Sequence, residues 1–250
     1  MDDLKNYAPP PDLLSGRVIL VTGATRGIGR ATALAFAAHG ATVVLHGRYP
    51  GPLERVYDEI TSRGHAEPAA IPLDLEKAGT RELDHLAYAI ESQLGRLDGI
   101  VHNASHLEKL SALEHQTVDE WMRTLRVNLV APFALTQACA RMLRAAPDAS
   151  VIYTSETHAA KPAAYWGAYA VSKAALETLM RIQADEWSRL SHLRANAVVP
   201  GAVASPLRQK THPGEAESEL PQPDMLAPVY LYLMGPDSRG VSGKVFDAQG

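Results

Sequence analysis

The sequence predicts a single α/β domain: one parallel sheet with helices on both faces. Three observations carry this. From Arg17 onward, short apolar runs of strand length alternate with helix-length segments. The runs are apolar at successive positions, as in strands buried on both faces. A glycine-rich turn, TGATRGIG, joins the first run to an alanine-rich helix.

The first fourteen residues read as an arm, because Pro9, Pro10 and Pro11 neither nucleate a helix nor donate to a central ladder. RVILVT (17–22) is the first strand. The helix 28–39 stops at Gly40, suited to the position after a helix end. ATVVLHG (41–47) is the second strand. Leu53, Val56, Tyr57 and Ile60 mark a helix that Gly64 ends. AAIPLD (69–74) is a weaker strand with Pro72 near its end. Leu83, Leu86, Ile90 and Leu94 space a helix closed by Gly95, before the strand LDGIVHN (97–103). Thr117 and Glu120 form a capping box before Trp121, Met122 and Leu125. That helix is expected to run past Asn128 to about Leu143, with Pro132 inside it as a candidate kink. ASVIYT (149–154), a long helix over 165–190 and LRANAVVP (193–200) follow. Residues 205–222 are polar and proline-rich, hence expected as a short substrate loop. An apolar helix (225–235) and the strand GKVFDA (243–248) finish the chain. No linker, repeat or low-complexity tract divides residues 15–250, so they form one domain of about seven strands.

Bulk properties exclude several classes. Of 250 residues, 46% are hydrophobic and 21% charged, which is ordinary for a globular domain and wrong for a disordered chain. The net charge of −4 and the lack of a Lys/Arg run argue against a nucleic-acid partner. A lone cysteine, Cys139, forms no intrachain disulfide and reads as a packed residue. No apolar run nears the ~18 residues of a membrane span. The acidic, proline-rich start is unlike a signal peptide, so a cytoplasmic protein with a small-molecule substrate is expected. His102 and His106 lack cysteine or H-E-x-x-H company, and no metal site is expected.

The glycine turn suits a dinucleotide. Glycine permits the tight turn and lets backbone approach a pyrophosphate, while the helix start offers N–H groups and a positive dipole end. An NAD site usually adds an acid at the end of the second strand. Here the positions are His46, Gly47 and Arg48, with no carboxylate. Arg48, helped by Arg26, suits a 2′-phosphate, so NADP(H) is preferred over NAD(H).

Tyr169 and Lys173 stand four apart in YAVSK, on one helical face about 6 Å apart along the axis. With TGATRGIG, Asn103-Ala104, Asn128 and Pro200-Gly201 in order, the chain resembles the short-chain dehydrogenase/reductase family over residues 15–250. WGAYAVSK, LYLMGPDSRG and FDAQG resemble its bacterial YciK-like branch, whose substrates the likeness does not supply. The resemblance implies a Rossmann-like doubly wound sheet, a homodimer or homotetramer, and hydride transfer between nicotinamide and a small carbonyl, alcohol or imine-like substrate. It implies Tyr169 as the proton donor–acceptor. Lys173 then lowers the phenol pKa and holds the nicotinamide ribose, and Asn128 supports a relay water. The cofactor residues it implies are Gly23, Thr25, Arg26, Gly27, Ile28, Gly29, Arg48, Asp74, Leu75, Asn103, Ala104, Ser105, Tyr169, Lys173, Pro200, Gly201, Val203 and Ser205.

Two departures bear on function. The family's usual serine, thirteen residues before the tyrosine, is Glu156 here, with Ser155 and Thr157 beside it. An ionised carboxylate there opposes oxyanion charge and raises the Tyr169 pKa. Either Ser155 reaches the site by a one-residue shift, or Glu156 is protonated and acts as donor, or it faces a cationic or ring-nitrogen substrate. Otherwise it points to solvent and catalysis is weak or absent. The second departure is Ser105, where the family segment usually ends in glycine. Both features resemble pteridine reductases of the family, but Leu107 occupies the position of their stacking aromatic. A pteridine-type reductase is therefore one alternative. A non-catalytic NADP-binding sensor or scaffold is the other.

Overall fold

The computed structural model describes residues 4–249. Seven parallel strands form one sheet in the order β3-β2-β1-β4-β5-β6-β7. They are β1 (Val18–Thr22), β2 (Thr42–Gly47), β3 (Ala69–Pro72), β4 (Gly99–His102), β5 (Ala149–Thr154), β6 (Leu193–Val199) and β7 (Val245–Asp247). Successive side chains on each strand enter opposite cores, which is why the strand runs are apolar throughout. Leu20, Val44, Ile100 and Val151 face α3 (Thr80–Leu94), α5 (Ala131–Ala145) and α7 (Gly167–Glu186). Ile19, Val43, Leu45 and Ile152 face α1 (Gly27–Ala38), α2 (Pro50–Ser62) and α9 (Ala227–Met234). Fully buried side chains such as Phe36 and Leu135 each contribute about 1.5–3 kcal/mol of transfer free energy. The order reverses between β1 and β4, and α/β sheets bind ligands outside the carboxyl ends at such a switch.

The long helix foreseen from the Thr117 capping box is divided. The box forms: Thr117 Oγ1 accepts from Glu120 N, and Glu120 accepts from Thr117 N. α4 spans Val118–Leu125, and Arg126–Val130 then widen into one π turn before α5. Pro132 explains the widening. It has no N–H for the Asn128 carbonyl four residues back, and its ring clashes there in a regular helix. The expected kink is therefore a π turn centred on Asn128, a form often found at functional positions.

Two further segments differ from expectation. Residues 205–222 include a short helix, α8 (Pro206–Thr211), whose Ser205 hydroxyl accepts from Arg208 N at 3.1 Å. Ser followed by Pro is a cap and first-turn pair that the loop reading passed over. α7 begins at Gly167, after a separate turn of helix, α6 (Thr157–Ala160). Ahead of β1 the chain lies against α9: Leu14 is buried, Tyr7 meets Tyr232 edge-on, and Tyr7 Oη donates to Asp237.

At the amino edge of the sheet, Asp148 gathers three arginines. Arg194 and Arg17 (3.1 Å) are buried with it, and Arg239 (3.3 Å) is exposed. Arg194 also donates to the Gly235 carbonyl and Ser238 Oγ, both at 2.8 Å, and so ties the end of α9 to β6.

Candidate active site

The carboxyl edge of the sheet collects the sequence-predicted site residues. Gly23 (φ +66°) and Gly27 (φ +53°) hold left-handed backbone conformations that glycine accepts without strain. Gly29 is required by closeness instead. A Cβ there would lie 2.3 Å from the Gly23 carbonyl oxygen and 2.4 Å from Asn103 Nδ2. No side chain caps α1 at Arg26, which leaves the first-turn N–H groups and the positive helix end for an anion. Thr22 stitches the switch point: its Oγ1 accepts from Asn103 N and Ala104 N, both at 3.0 Å. Asn103 Nδ2 donates to the Thr22 carbonyl at 3.2 Å. This turn fits a pyrophosphate by its own geometry.

Beyond the turn, Arg48 follows the end of β2 and is exposed, 3.7 Å from Asp74 and over the Tyr49 ring. Arg26 is exposed nearby in sequence, while Thr25 and Ile28 are half-buried. Leu75 and Val203 are buried. His46 is buried beneath, bonded to the Leu73 carbonyl, and burial pushes it down to about 4, so it is neutral at ordinary pH. On the other side, Gln249 Nε2 donates to the carbonyls of Pro200 (3.0 Å) and Ala202 (2.6 Å) and braces the Gly201 turn.

Tyr169 and Lys173 are both buried on one face of α7. Lys173 Nζ donates to the Thr154 carbonyl at 2.8 Å and lies 5.7 Å from the Tyr169 ring centroid. Burial pushes Lys173 down to about 8, against the opposing pull of the Glu156 carboxylate. Burial likewise raises the Tyr169 phenol well above its ordinary value. A hydrogen bond from Ser105 (3.4 Å) opposes that rise, and Glu156 adds to it. The family resemblance implies that Lys173 draws the phenol down. In the structure the ammonium is bonded to a carbonyl and sits over the ring, and desolvation of Tyr169 dominates.

The neighbours at 155 and 156 diverge. Ser155 Oγ donates to buried Glu177 at 2.6 Å, and Glu177 pairs with Arg181 at 3.0 Å. Glu156 takes the His158 ring nitrogen at 2.9 Å, and that imidazole stacks on Trp166 at 3.8 Å between centroids. Trp166 also packs near Tyr169 and His212. Leu207 of α8 joins Leu107, Leu110, Trp166 and Tyr169 in an apolar cluster, and Lys210 Nζ donates to the Leu107 carbonyl at 2.6 Å. A shallow cleft opens between Leu107, Ser111, Gln116 and Trp166, with Tyr169 in its wall.

Asn128 is buried with its side-chain amide fully engaged. Oδ1 accepts from His106 N, and Nδ2 donates to His106 O and Ser172 Oγ. Sequence reasoning missed Glu177, His158, Lys210 and Gln249. An E-x-H pattern at 156–158 was a usable signal, whereas the partners of Ser155 and Pro200 meet only through the fold. His102 is buried against Tyr153, and His106 pairs with Glu108. Cys139 is buried, and burial pushes its thiol up to about 12.

A doubly wound sheet with a glycine turn at its switch point defines an α/β protein of the dinucleotide-binding class. The short chain dehydrogenase family model matches residues 17–216, and the chain belongs to that family of oxidoreductases. It is 39% identical over 244 residues to the uncharacterized oxidoreductase YciK of Escherichia coli K12, covering 98% of this chain and 96% of that protein. A short chain dehydrogenase structure from Pseudomonas syringae is 45% identical with TM-score 0.93, covering 98% of this chain and 99% of that one. One from Escherichia coli CFT073, complexed with NADPH, is 39% identical with TM-score 0.94, covering 97% of this chain and all of that one (100%). Among the described residues no helix is long and apolar enough to cross a membrane.

Proposed function

We propose that this oxidoreductase uses NADP(H) in preference to NAD(H) and interconverts a small carbonyl or imine-like substrate with its reduced form. The observation that carries the reading is the buried Tyr169–Lys173 pair on one face of α7, at the same sheet edge as the glycine turn. The turn residues Gly23–Gly29 would hold the pyrophosphate. Arg48 and Arg26 would take the 2′-phosphate, Asp74 and Leu75 would border the adenine, and Asn103–Ser105, Lys173, Pro200, Gly201, Val203 and Ser205 would hold the nicotinamide half. Bound there, NADPH supplies the hydride. Tyr169 Oη gives its proton to the substrate oxygen, and a phenol kept protonated by burial suits the reducing direction. Lys173, held by the Thr154 carbonyl near the Tyr169 ring, would reprotonate the tyrosine through solvent. The Asn128 carbonyl, which Pro132 cannot serve, is the group for a relay water.

A pteridine-type reductase is the second reading. It is favoured by the Glu156 carboxylate beside Tyr169 and Lys173, which suits a ring nitrogen. Exposed Val118, Met122, Phe133, Val171 and Ile182 on α4, α5 and α7 support a homodimer or homotetramer, which light scattering checks. A cytoplasmic location fits the NADP(H) chemistry. The test of function is NADPH oxidation across ketones, aldehydes, imines and pterins. Turnover is expected with at least one class. Tight NADPH binding without turnover would favour the sensor or scaffold.

A further inference from the structure

We propose that Ser105 is the second hydroxyl donor to the reacting substrate oxygen, beside Tyr169, in place of the serine that this chain lacks at position 156. The proposal rests on the Tyr169–Lys173 reading above and adds a residue to it.

Three hydroxyls near Tyr169 have other partners, and a fourth, Ser111 Oγ in the wall of the same cleft, is buried without a partner among the described residues and makes no bond to Tyr169. Ser155 Oγ is bonded to Glu177 at 2.6 Å, inside the α7 packing. Thr154 Oγ1 pairs with Tyr230 Oη at 2.9 Å. Ser172 Oγ donates to the Tyr169 backbone carbonyl at 2.7 Å and accepts from Asn128. Glu156, at the position of the missing serine, is paired with His158 and contributes an acceptor rather than a donor when ionised. Ser105 Oγ alone, among the described residues, is bonded to Tyr169 Oη, at 3.4 Å. Ser105 is exposed as a residue, while its bond to Tyr169 Oη is part-buried. Two donors 3.4 Å apart form a notch in which one oxygen sits about 2.8 Å from each, the ordinary O–H···O length.

The loop around Ser105 is held from both sides. Asn103 and Ala104 are fixed to Thr22, and His106 is clamped by the Asn128 amide through both its N–H and its carbonyl. This gives Asn128 a positioning role: it fixes the residue following Ser105. A donor so fixed costs no reorganisation as charge develops on the oxygen, the condition under which such donors act most strongly. In the step itself, hydride from NADPH bonds to the carbonyl carbon. The C=O π pair becomes the new O–H bond with the Tyr169 proton. The broken Tyr169 O–H pair stays on Oη as a phenolate that solvent reprotonates by way of Lys173, and the products are alcohol and NADP⁺. Ser105 keeps its proton throughout and only donates a hydrogen bond to that oxygen.

The experiment measures reduction of phenanthrenequinone and benzaldehyde by NADPH in the parent, Ser105→Ala, Ser105→Thr, Ser155→Ala and Tyr169→Phe. It also records the infrared carbonyl stretch of isotope-labelled benzaldehyde bound with NADP⁺ to Tyr169→Phe, with and without Ser105→Ala. Ser105→Ala is expected to lose about 10²-fold in kcat, the scale of a lost oxyanion donor. Ser105→Thr should recover most of it, and Ser155→Ala should lose less. The bound carbonyl stretch should rise toward its free value when Ser105 is removed, a change that a purely structural role would not produce. Parental kcat in Ser105→Ala, a larger loss in Ser155→Ala, or an unmoved stretch would overturn the proposal. If Tyr169→Phe keeps turnover while Ser105→Ala loses it and the stretch shifts, the tyrosine reading fails and the Ser105 assignment stands.

Discussion

Replacing Gly29 with alanine joins the fold to the cofactor site in one perturbation. The new Cβ would sit 2.3 Å from the Gly23 carbonyl oxygen and 2.4 Å from Asn103 Nδ2. An ordinary van der Waals contact begins near 3.4 Å. Relief therefore requires about 1 Å of movement, and the atoms that must give are backbone and a clamped amide rather than a flexible side-chain end. Overpacking of this kind costs about 1–3 kcal/mol. For a chain of this size that lowers Tm by about 2–12 °C. The displaced carbonyl belongs to the turn proposed to receive the pyrophosphate, so NADPH Kd should rise at least about tenfold, or 1.4 kcal/mol. Gly51→Ala is the internal control. It lies in the first turn of α2 with nothing within 4 Å of its Cβ and no positive φ, so it should be neutral or slightly stabilising. The assays are thermal unfolding and fluorescence titration with NADPH. A Gly29→Ala protein with parental Tm and parental Kd would refute the packing argument.

Three further outcomes are expected. Arg48→Ala should erase most of an NADPH-over-NADH preference of at least about tenfold (1.4 kcal/mol), read as the ratio of dissociation constants in the same titration. Equal constants in the parent would remove the claim. Asp148→Asn should destabilise by about 3–5 kcal/mol in urea unfolding, because Arg194 and Arg17 stay buried without their carboxylate. Burial alone would raise the Asp148 carboxyl, but Arg194, Arg17 and Arg239 outweigh it and hold the group below its ordinary 3.8. Its contribution is thus complete above that value and is lost as pH falls through the lower folded value. Asp148→Asn should accordingly flatten the acid limb of stability against pH. Finally, kcat/KM for reduction should decline as pH rises through about 8, where Lys173 loses its proton. Glu156→Gln removes a charge that favours the ammonium, so the decline should move to lower pH; an unmoved limb would separate Glu156 from the pair.

The sheet and both helical layers were legible because the core strands are largely apolar at successive positions and α1, α2, α3 and α4 are punctuated by glycine or a capping pair. Gly40, Gly64 and Gly95 all fall just past helix ends with positive φ, as their positions in the sequence implied. The π turn was half legible: Pro132 announced a disturbance, but a kink and a π turn follow equally from a missing N–H. α8 was missed because its polar and proline content outweighed the Ser205-Pro206 start signal. At the candidate site, motif spacing brought forward Tyr169, Lys173, the glycine turn and Asn103. The direction of Ser155 was not readable, since Glu177 lies twenty-two positions away on the next long helix. Nor was the pairing of Glu156 with His158 under Trp166, which depends on α6 folding back toward α7. Side-chain direction at strand ends is set by such long-range partners, and spacing carries no record of them.

The central claim is that Tyr169 gives the proton in an NADPH-dependent reduction. It is tested most directly by comparing parent and Tyr169→Phe for single-turnover NADPH oxidation, using the best substrate from the panel, with NADPH affinity measured on the same samples. The account predicts that turnover falls to background while NADPH Kd stays within a few fold, because only a buried hydroxyl is lost. Turnover retained in Tyr169→Phe at undiminished NADPH affinity would contradict it.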